Sequence, residues 1–458
     1  MDIGCESFRR LSRRDALTVA GASLFGLTLA DFFRARAAEQ AGGGSRGKAG
    51  KAKQVIMLWL HGGPPGQETF DMKPDRPEEV RGPFKPIRSV VPGLDVCEHL
   101  PNTAQVADKF TVIRSVHSRG YPEAGGHHAG LSWKTGNPRG LRGTPKYPTF
   151  GSVASKLLGA PKGLPGFVAL GDVNSHAPGL RENYLGPAHD PLAIPDDRRN
   201  DATSAMLAPA LEVSGFDRNV ELTKALDREA RAQDTNSALL SALDQNQQKA
   251  FELLRAPKLR EALDVSKESG KTLERYGCAL KDYRNANAKV NLDCQKVLVG
   301  RRLIEAGVPF VYVDFAYWDW HNGNGLDKAT PNLASFDHAV PALLTDLAER
   351  GLLDTTMVLA FGEMGRTPKA DLKKYGREHW APSQFALVAG GGFKPGQVVG
   401  ATDRDGAYVK DREYKLASLG KTIYHLLGLD PDHELSGTDG RPLKLITEDV
   451  PLIQEAIA

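Results

Sequence analysis

The sequence predicts an α/β protein built on a mostly parallel central sheet. Two nearly continuous apolar runs, at residues 54–60 and 357–361, are typical of strands buried on both faces of a sheet. A third apolar run at 309–315 is followed by a helical pattern at 340–350, which Asp337 is expected to begin and which leads back into the run at 357–361. This strand–helix–strand order is typical of a right-handed parallel crossover.

Length and composition indicate a globular protein with a large core. The chain has 458 residues, 41% hydrophobic and 25% charged, which suits one large α/β domain or two or three smaller ones. The formal net charge is only +3, and basic residues are dispersed outside residues 46–53. A nucleic-acid partner is therefore not expected, because binding to a phosphate backbone needs a concentrated basic face.

The first 38 residues have the pattern of a twin-arginine export signal. Ser12-Arg13-Arg14 precedes an apolar stretch at 16–30, and Ala35-Arg36-Ala37 provides a small-x-small cleavage pattern. The alternative is an uncleaved membrane anchor, but a helix over 16–30 is shorter than the roughly 30 Å hydrocarbon core. We expect export through the twin-arginine machinery, cleavage, a periplasmic or extracellular location and no membrane span in the mature protein.

The rest of the chain is expected to be one domain at 54–458, joined to the signal by a flexible linker at 39–53 that is rich in Gly, Lys and Ala. Residues of about 220–307 have helical spacing throughout and are expected to form a helical insertion. Cysteines provide no disulfide framework, because Cys97, Cys278 and Cys294 remain as an odd set after signal removal. We expect buried free thiols, with a Cys278–Cys294 disulfide as the alternative.

Carboxylate and imidazole side chains follow the predicted strands at the points where the strands end. Because the carboxyl ends of parallel strands meet at one edge of a sheet, we expect these groups to lie close together. Mixed imidazole and carboxylate ligands suit Zn²⁺ or a similar transition ion, whereas a carboxylate-dominated set would suit Mg²⁺, Ca²⁺ or Mn²⁺. The sequence therefore predicts a divalent metal site whose candidate ligands are His61, Asp319, His321, Glu363 and His379.

Four further residues are candidates for catalysis. His127 and His128 follow Gly125-Gly126 just before a predicted helix, where backbone N–H groups favour an anion and an imidazole could act as general base. Arg366 and Arg377 are expected to neutralise the equatorial oxygens of a phosphoryl or sulfuryl group. Adjacent histidines are also ordinary turn residues, so a structural role for the pair stays open.

A set of motifs distributed along the chain carries a family resemblance. The motifs are Gly62-Gly63-Pro64, E-T-F-D-M-K-P at 68–74, R-G-P-F at 81–84, R-S-V at 114–116, W-D-W-H at 318–321, G-E-M-G-R-T-P at 362–368 and G-R-E-H-W at 376–380. With them the chain resembles the domain of unknown function 1501 family, which consists of exported bacterial proteins placed in the alkaline phosphatase and sulfatase superfamily. The likeness covers residues of about 54–447 and agrees with the export signal.

This resemblance implies an alkaline-phosphatase-like three-layer α/β/α sandwich with metal ligands at the carboxyl ends of its strands. His61 lies where the superfamily has its first-strand aspartate ligand, and Asp319 and His321 resemble its aspartate–histidine pair. Glu363 lies where an Asp-His-Gly turn is common, and His379 is similar to the late histidine ligand.

The chain departs from the superfamily at the nucleophile. Before Lys134-Thr135-Gly136, where sulfatases have Cys or Ser, it has Gly126, His127 and His128. Three options remain: a water nucleophile with His127 or His128 as general base, a histidine nucleophile, and a site that binds without turnover. Thr69 is a weaker substitute nucleophile. We predict a metal-dependent hydrolase of phosphate or sulfate esters of small molecules or glycans, with a non-catalytic binding or scaffold protein on the same fold as the alternative.

Overall fold

The computed structural model describes residues 50–138, 147–171, 180, 184–194, 256–280, 290–321, 323–436 and 441–458. Three expectations from the sequence fall wholly or partly outside these residues. They are the signal peptide at 1–38, most of the linker at 39–53, and residues 220–255 and 281–289 of the helical insertion. These expectations stay predictions.

The described residues contain seventeen strands, most of them short. In chain order the strands are β1 (Gln54–His61), β2 (Pro86–Arg88), β3 (Asp95–Cys97), β4 (Phe110–His117), β5 (Phe167–Leu170), β6 (Leu192–Ile194), β7 (Phe310–Tyr317), β8 (Thr356–Phe361), β9 (Gly365–Arg366), β10 (His379–Trp380), β11 (Gln384–Ala389), β12 (Gln397–Val399), β13 (Ala401–Thr402), β14 (Val409–Asp411), β15 (Tyr414–Lys415), β16 (Glu434–Ser436) and β17 (Pro442–Lys444).

Nine α-helices lie in the same described ranges. They are α1 (Glu78–Arg81), α2 (Pro101–Gln105), α3 (Ala129–Thr135), α4 (Phe150–Leu157), α5 (Pro257–Leu263), α6 (Gly270–Arg275), α7 (Val290–Ala306), α8 (Gly325–Glu349) and α9 (Leu416–Leu426).

One nine-stranded sheet forms the centre of the fold. Its strand order is β12-β4-β11-β8-β1-β7-β5-β6, and β15 also pairs with β4. The strands from β8 to β6 are parallel to one another, and β12 and β15 are parallel to β4. Within this sheet only β11 runs antiparallel to its neighbours, β4 and β8. The predicted mostly parallel sheet is confirmed.

Helices cover both faces of this sheet, because the side chains of a strand alternate between its two faces. Ile56 and Leu58 of β1 join a hydrophobic core that includes α2, α5, α7 and α8. Met57 and Trp59 join a second core on the other face, with α3, α4 and α9. The apolar run of β1 is continuous because both of its faces are buried. The fold is therefore the predicted three-layer α/β/α sandwich.

The last part of the predicted helical insertion belongs to the sandwich itself. Helix α7 packs directly on β1 and β7 and against α8, and it is buried along most of its length. Helical spacing in a sequence does not distinguish a helix that covers the sheet from a helix in an insertion. Residues 290–306 of the predicted insertion at about 220–307 therefore lie against the sheet, and the insertion as a whole stays a prediction.

Helix α8 is longer than the sequence predicts. It includes Pro331 and Pro341, and prolines usually mark the start of a helix rather than its interior. Asp337 therefore lies inside α8 instead of beginning it. Its carboxylate accepts hydrogen bonds from the backbone N–H groups of Asn102 (3.1 Å) and Thr103 (2.7 Å), so it caps the first turn of α2 from a neighbouring helix.

The three described cysteines, Cys97, Cys278 and Cys294, are free thiols, as the sequence predicts, and the alternative Cys278–Cys294 disulfide is not formed. Burial raises the pKa of the Cys97 and Cys278 thiols to about 12. Among the described helices, none combines the length and the apolar character that crossing a membrane requires.

A bulge at the end of β7 shapes the edge of the sheet where the predicted ligands lie. Trp59 pairs with Asp314 but His61 pairs with Tyr317, so β7 has one residue more than β1 in this interval. Ala316 takes up the extra length with a φ of 59°, which is unusual for a residue with a Cβ. Below the bulge, the backbone N–H of Trp318 donates to the carbonyl of His61 at 2.5 Å.

We predict that Ala316→Val lowers the free energy of unfolding by at least about 2 kcal/mol, because a β-branched residue tolerates a positive φ poorly and the site is buried. Ala316→Gly should change it by less than about 1 kcal/mol. Urea unfolding followed by circular dichroism measures both. Ala329→Val, at a buried helical position, reports overpacking alone. Equal losses at 316 and 329 would show that the bulge is not strained.

Candidate metal centre

Three neighbouring strands bring the first candidate ligands together. The order β8-β1-β7 places the carboxyl ends of these parallel strands side by side. His61 ends β1, Glu363 follows β8, and Asp319 follows β7 just after the bulge. The groups that the sequence places at strand ends therefore meet at one edge of the sheet, as parallel topology requires.

Glu363 is fully buried, and its two carboxylate oxygens have different surroundings. Oε1 accepts a hydrogen bond from the Gly62 N–H at 2.9 Å and lies 2.7 Å from Nδ1 of His127. Oε2 is also buried, and no described residue donates a hydrogen bond to it. Burial acts to raise the pKa of Glu363, but His127, His61 and the Gly62 N–H outweigh burial and hold the pKa below its ordinary value.

Asp319 is the most highly connected carboxylate of the site. Its Oδ1 accepts from the Arg366 guanidinium at 2.5 Å and lies 2.9 Å from Nε2 of His321. Its Oδ2 accepts from the Tyr317 hydroxyl at 3.1 Å. Burial acts to raise the pKa of Asp319, but the contacts with His127, His379 and Arg366 hold it far below its ordinary value. Asp319 is therefore an anion at every physiological pH.

Three histidines surround Asp319. Nε2 of His379 lies 3.4 Å from Oδ1 of Asp319, and Nε2 of His127 lies 3.7 Å from its Oδ2. The rings of His127 and His379 are edge to face, with centroids 4.7 Å apart, and the rings of His321 and His379 are equally close. On its other side, His321 is held by Glu378, whose Oε2 lies 2.6 Å from Nδ1. Such imidazole–carboxylate contacts orient histidines that bind metals.

Two overlapping groups of side chains have the composition and spacing to hold metal ions. Within each group all candidate ligand atoms lie within 4.8 Å of one another. His127 belongs to both groups. Imidazole and carboxylate ligands suit Zn²⁺ or a related divalent ion, and the buried Oε2 of Glu363 is an anionic oxygen that an ion would satisfy. We call the six residues of both groups the histidine–carboxylate cluster: His61, His127, Asp319, His321, Glu363 and His379.

The two adjacent histidines have different environments. His127, predicted as a catalytic base, lies inside the histidine–carboxylate cluster between Glu363 and Asp319. Hydrogen bonds to Asp319 and then Glu363 raise the pKa of His127 to about 9. His127 is therefore a candidate ligand that the sequence assigned to another role. His128 is exposed at the start of α3, and the described part of the chain shows no contact between it and the cluster.

Arg366 holds the site together instead of facing a substrate. Its side chain is 0% exposed. Besides Asp319, the guanidinium donates to the carbonyls of Gly62, Gly63 (3.0 Å) and Arg377 (3.0 Å). Protein acceptors already surround this cation, and these contacts do not favour the predicted role of Arg366 in neutralising substrate oxygens. It positions Asp319 on the glycine loop that follows β1.

The contacts of Arg377 likewise do not favour its predicted catalytic role. Its guanidinium forms a buried bidentate ion pair with Glu68, at 2.6 Å for the shortest contact, and its side chain is 1% exposed. Its remaining N–H groups donate to the carbonyls of Thr367, Pro368 and Val80. Arg377 therefore stabilises the loops around the site and is buried away from solvent.

Other polar groups expected near the strand ends form separate pairs. Asp71 interacts with Lys73 and Arg114 and accepts a hydrogen bond from Thr402. His117, at the end of β4, is paired with Glu413. The strand β11 separates β4 from β8, so His117 is two strands away from Glu363. Among the described residues, the side chains that meet in the cluster come from the ends of β8, β1 and β7 and from the loops that carry His127 and His379.

Several residues that contact the cluster were not predicted as site residues from the sequence. Asp314 lies 3.6 Å from Nδ1 of His61. Burial and then Asp319 raise the pKa of Tyr317 to about 12, so its phenol stays protonated and donates to Asp319. Lys328 donates to the carbonyl of Asp319 at 2.7 Å. Glu378, which contacts His321, is the only one of these neighbouring residues that lies within a sequence motif, G-R-E-H-W at 376–380.

The fold and the cluster define an α/β/α sandwich protein with a histidine–carboxylate centre at the carboxyl edge of its sheet. The chain belongs to the family described as Protein of unknown function (DUF1501), whose sequence profile matches residues 52–457. The family predicted from the motifs is confirmed. No curated protein matches the sequence.

Solved structures with a similar fold include a sulfatase and a phosphonate ester hydrolase. The PsFucS1 sulfatase from Pseudoalteromonas sp. is 15% identical, with a TM-score of 0.39 over 86% of this chain and 70% of its own. The phosphonate monoester hydrolase SpPMH from Silicibacter pomeroyi is 12% identical, with a TM-score of 0.39. The match covers 87% of this chain and 77% of the hydrolase. An alkaline phosphatase superfamily protein from Vibrio parahaemolyticus is 11% identical, with a TM-score of 0.38. The match covers 83% of this chain and 67% of that protein. At these identities no activity is transferred to this chain.

The raised pKa of His127 predicts a pH-dependent stability of the metal-free protein. The imidazolium is stabilised only in the folded state, so its contribution is complete below the unfolded pKa of about 6.5 and is lost as the pH rises to about 9. Urea unfolding of chelator-treated protein should show a falling free energy of unfolding across this window. His127→Gln should remove this component, and His99→Gln, at an exposed position, should retain it. An unchanged slope in His127→Gln would contradict the assignment.

The buried pair of Arg377 and Glu68 predicts a large loss of stability on truncation. Arg377→Met leaves the Glu68 carboxylate buried without its partner, and we expect the free energy of unfolding to fall by about 3–5 kcal/mol. Arg275→Met, which breaks an exposed pair with Glu349, should cost less than about 1 kcal/mol. Chemical unfolding measures both. Near-wild-type stability of Arg377→Met together with lost ester cleavage would instead restore a catalytic role.

Proposed function

We propose that this protein is an exported metal-dependent hydrolase that cleaves phosphate or sulfate esters of small molecules or glycans. The observation that carries the proposal is the histidine–carboxylate cluster with its buried Oε2 of Glu363. An anionic oxygen without a hydrogen-bond donor is costly in a protein interior unless a cation satisfies it. The resemblance of the sequence to a superfamily of ester hydrolases agrees with this reading.

The two groups of the cluster define which side chains would hold the metal. His61, His127 and Glu363 form one group, and Asp319, His321 and His379 join His127 in the other. A divalent ion bound there would supply Lewis acidity towards an ester oxygen. The chain contributes the orientation of the ligands. The Gly62 N–H fixes Glu363, and Glu378 fixes His321.

Side-chain contacts favour a water nucleophile over a covalent route. The Thr69 hydroxyl is buried and donates to the carbonyl of Pro65 at 2.7 Å, so it is turned into the loop. His127 is engaged by two carboxylates, which makes it a poor nucleophile. We therefore propose attack by water.

The alternative is a binding or scaffold protein on the same fold. The observation that favours it is the composition of the cluster, which consists of histidines and carboxylates without a Cys, Ser or Thr. A binding protein would retain metal and bind an anionic ligand without cleaving an ester. The two functions are separated by turnover and not by metal content.

We predict that protein purified from the native host contains stoichiometric divalent metal and that chelation abolishes cleavage of aryl phosphate or sulfate esters. Glu363→Gln should reduce metal affinity by more than about a hundredfold, because it replaces a ligand and not only a supporting residue. Elemental analysis and ester hydrolysis assays measure both effects.

Glu413→Gln is the matched control, since this exposed carboxylate pairs with His117 and Arg119. It should leave metal content and hydrolysis unchanged. Metal content in Glu363→Gln equal to wild type would remove the proposed centre. Stoichiometric metal without cleavage across phosphate, phosphodiester and sulfate panels would favour the binding protein.

A further inference from the structure

Phosphate and sulfate esters are anions, so a site that binds them needs a cation with access to solvent. The cations predicted for this task, Arg366 and Arg377, are 0% and 1% exposed and fully engaged by the protein. Lys134 is also buried, with its ammonium 4.5 Å from the centre of the Trp59 ring. None of these three reaches the open side of the cluster.

Lys328 is different from these buried cations. It is half-buried on the first turn of α8. Its ammonium donates one hydrogen bond to the carbonyl of Asp319 at 2.7 Å and lies 4.6 Å from the centre of the Tyr317 ring. A lysine ammonium has three N–H donors, so this arrangement leaves donors for another acceptor. The hydroxyl of the same Tyr317 donates to the Asp319 carboxylate, which places Lys328 beside the cluster.

The start of α8 is held in place, so Lys328 has a defined position. The backbone N–H of Leu326 donates to the carbonyl of Lys374 at 2.8 Å. A Cβ on Gly325 would come within 2.6 Å of the backbone at Tyr375 and Gly376, so only glycine permits this close approach. The loop that precedes the G-R-E-H-W motif therefore fixes the helix that carries Lys328.

We propose that Lys328 binds an anionic oxygen of the phosphoryl or sulfuryl group that the histidine–carboxylate cluster receives. Tyr317 supports the ammonium with its ring face, a contact that favours a cation. Lys328 acts as a point charge beside the candidate metal ligands. It has the role that the sequence analysis predicted for Arg366 and Arg377, which is to neutralise oxygens of the phosphoryl or sulfuryl group. This assignment rests on the proposed function and specifies the residue that recognises its anionic substrate.

The test measures the binding of inorganic phosphate and inorganic sulfate by calorimetry and by the shift in thermal melting. Wild type, Lys328→Met, Lys328→Arg and Lys374→Met are compared, each chelator-treated and each loaded with Zn²⁺. Lys374 pairs with Asp327 on the surface next to the start of α8, so its variant controls for loss of a nearby positive charge.

We expect Lys328→Met to weaken binding of both anions at least tenfold at unchanged metal content, Lys328→Arg to retain most of the affinity, and Lys374→Met to bind as wild type does. Wild-type anion affinity in folded, metal-containing Lys328→Met would overturn the assignment, as would a wild type that binds neither anion in either state. A wild type that binds anions but no metal would defeat the proposed function, while the loss or retention of affinity in Lys328→Met would still decide the role of Lys328.

Discussion

The candidate site depends on the buried ion pair between Arg366 and Asp319. The guanidinium joins the carboxylate after β7 to the glycine carbonyls after β1, so one side chain fixes the ends of two neighbouring strands relative to each other. A buried charge pair is tolerated only when its remaining hydrogen bonds are satisfied, and Arg366 meets this condition with three backbone carbonyls. The four histidines collected around Asp319 and Glu363 rely on this arrangement.

The sequence predicted the candidate site best at the ends of the buried strands. A continuous apolar strand followed at once by a polar residue predicts both a buried parallel strand and a group at its carboxyl end. For β1, β7 and β8 this reasoning placed His61, Asp319 and Glu363 at one edge of the sheet, where the structure has them. The same reasoning from polar residues that follow strands proposed His321 and His379, which also lie within the W-D-W-H and G-R-E-H-W motifs. These predictions needed only strand order and direction, which follow from local patterns and general topology.

Local sequence patterns do not show which side chains pair when the two residues are far apart in the chain. Arg377 pairs with Glu68, which is 309 residues away in sequence, and nothing in the G-R-E-H-W motif indicates that its arginine is buried. The same limit applies to Lys328, whose position depends on how the start of α8 packs against the loop at 371–377. His127 was assigned to catalysis because its loop cannot be placed relative to the strand ends from spacing alone. Charge type is visible in a sequence, but exposure is not.

The position of His127 in both ligand groups limits how the cluster can be loaded. A neutral imidazole has one nitrogen lone pair for a metal, and its other nitrogen carries a proton. A neutral His127 could therefore serve only one of the two groups at a time. If one group held an ion through one nitrogen of His127, the other nitrogen would carry the proton and would donate to the carboxylate beside it. The other group would then have only its remaining side chains to offer, either His61 and Glu363 or Asp319, His321 and His379.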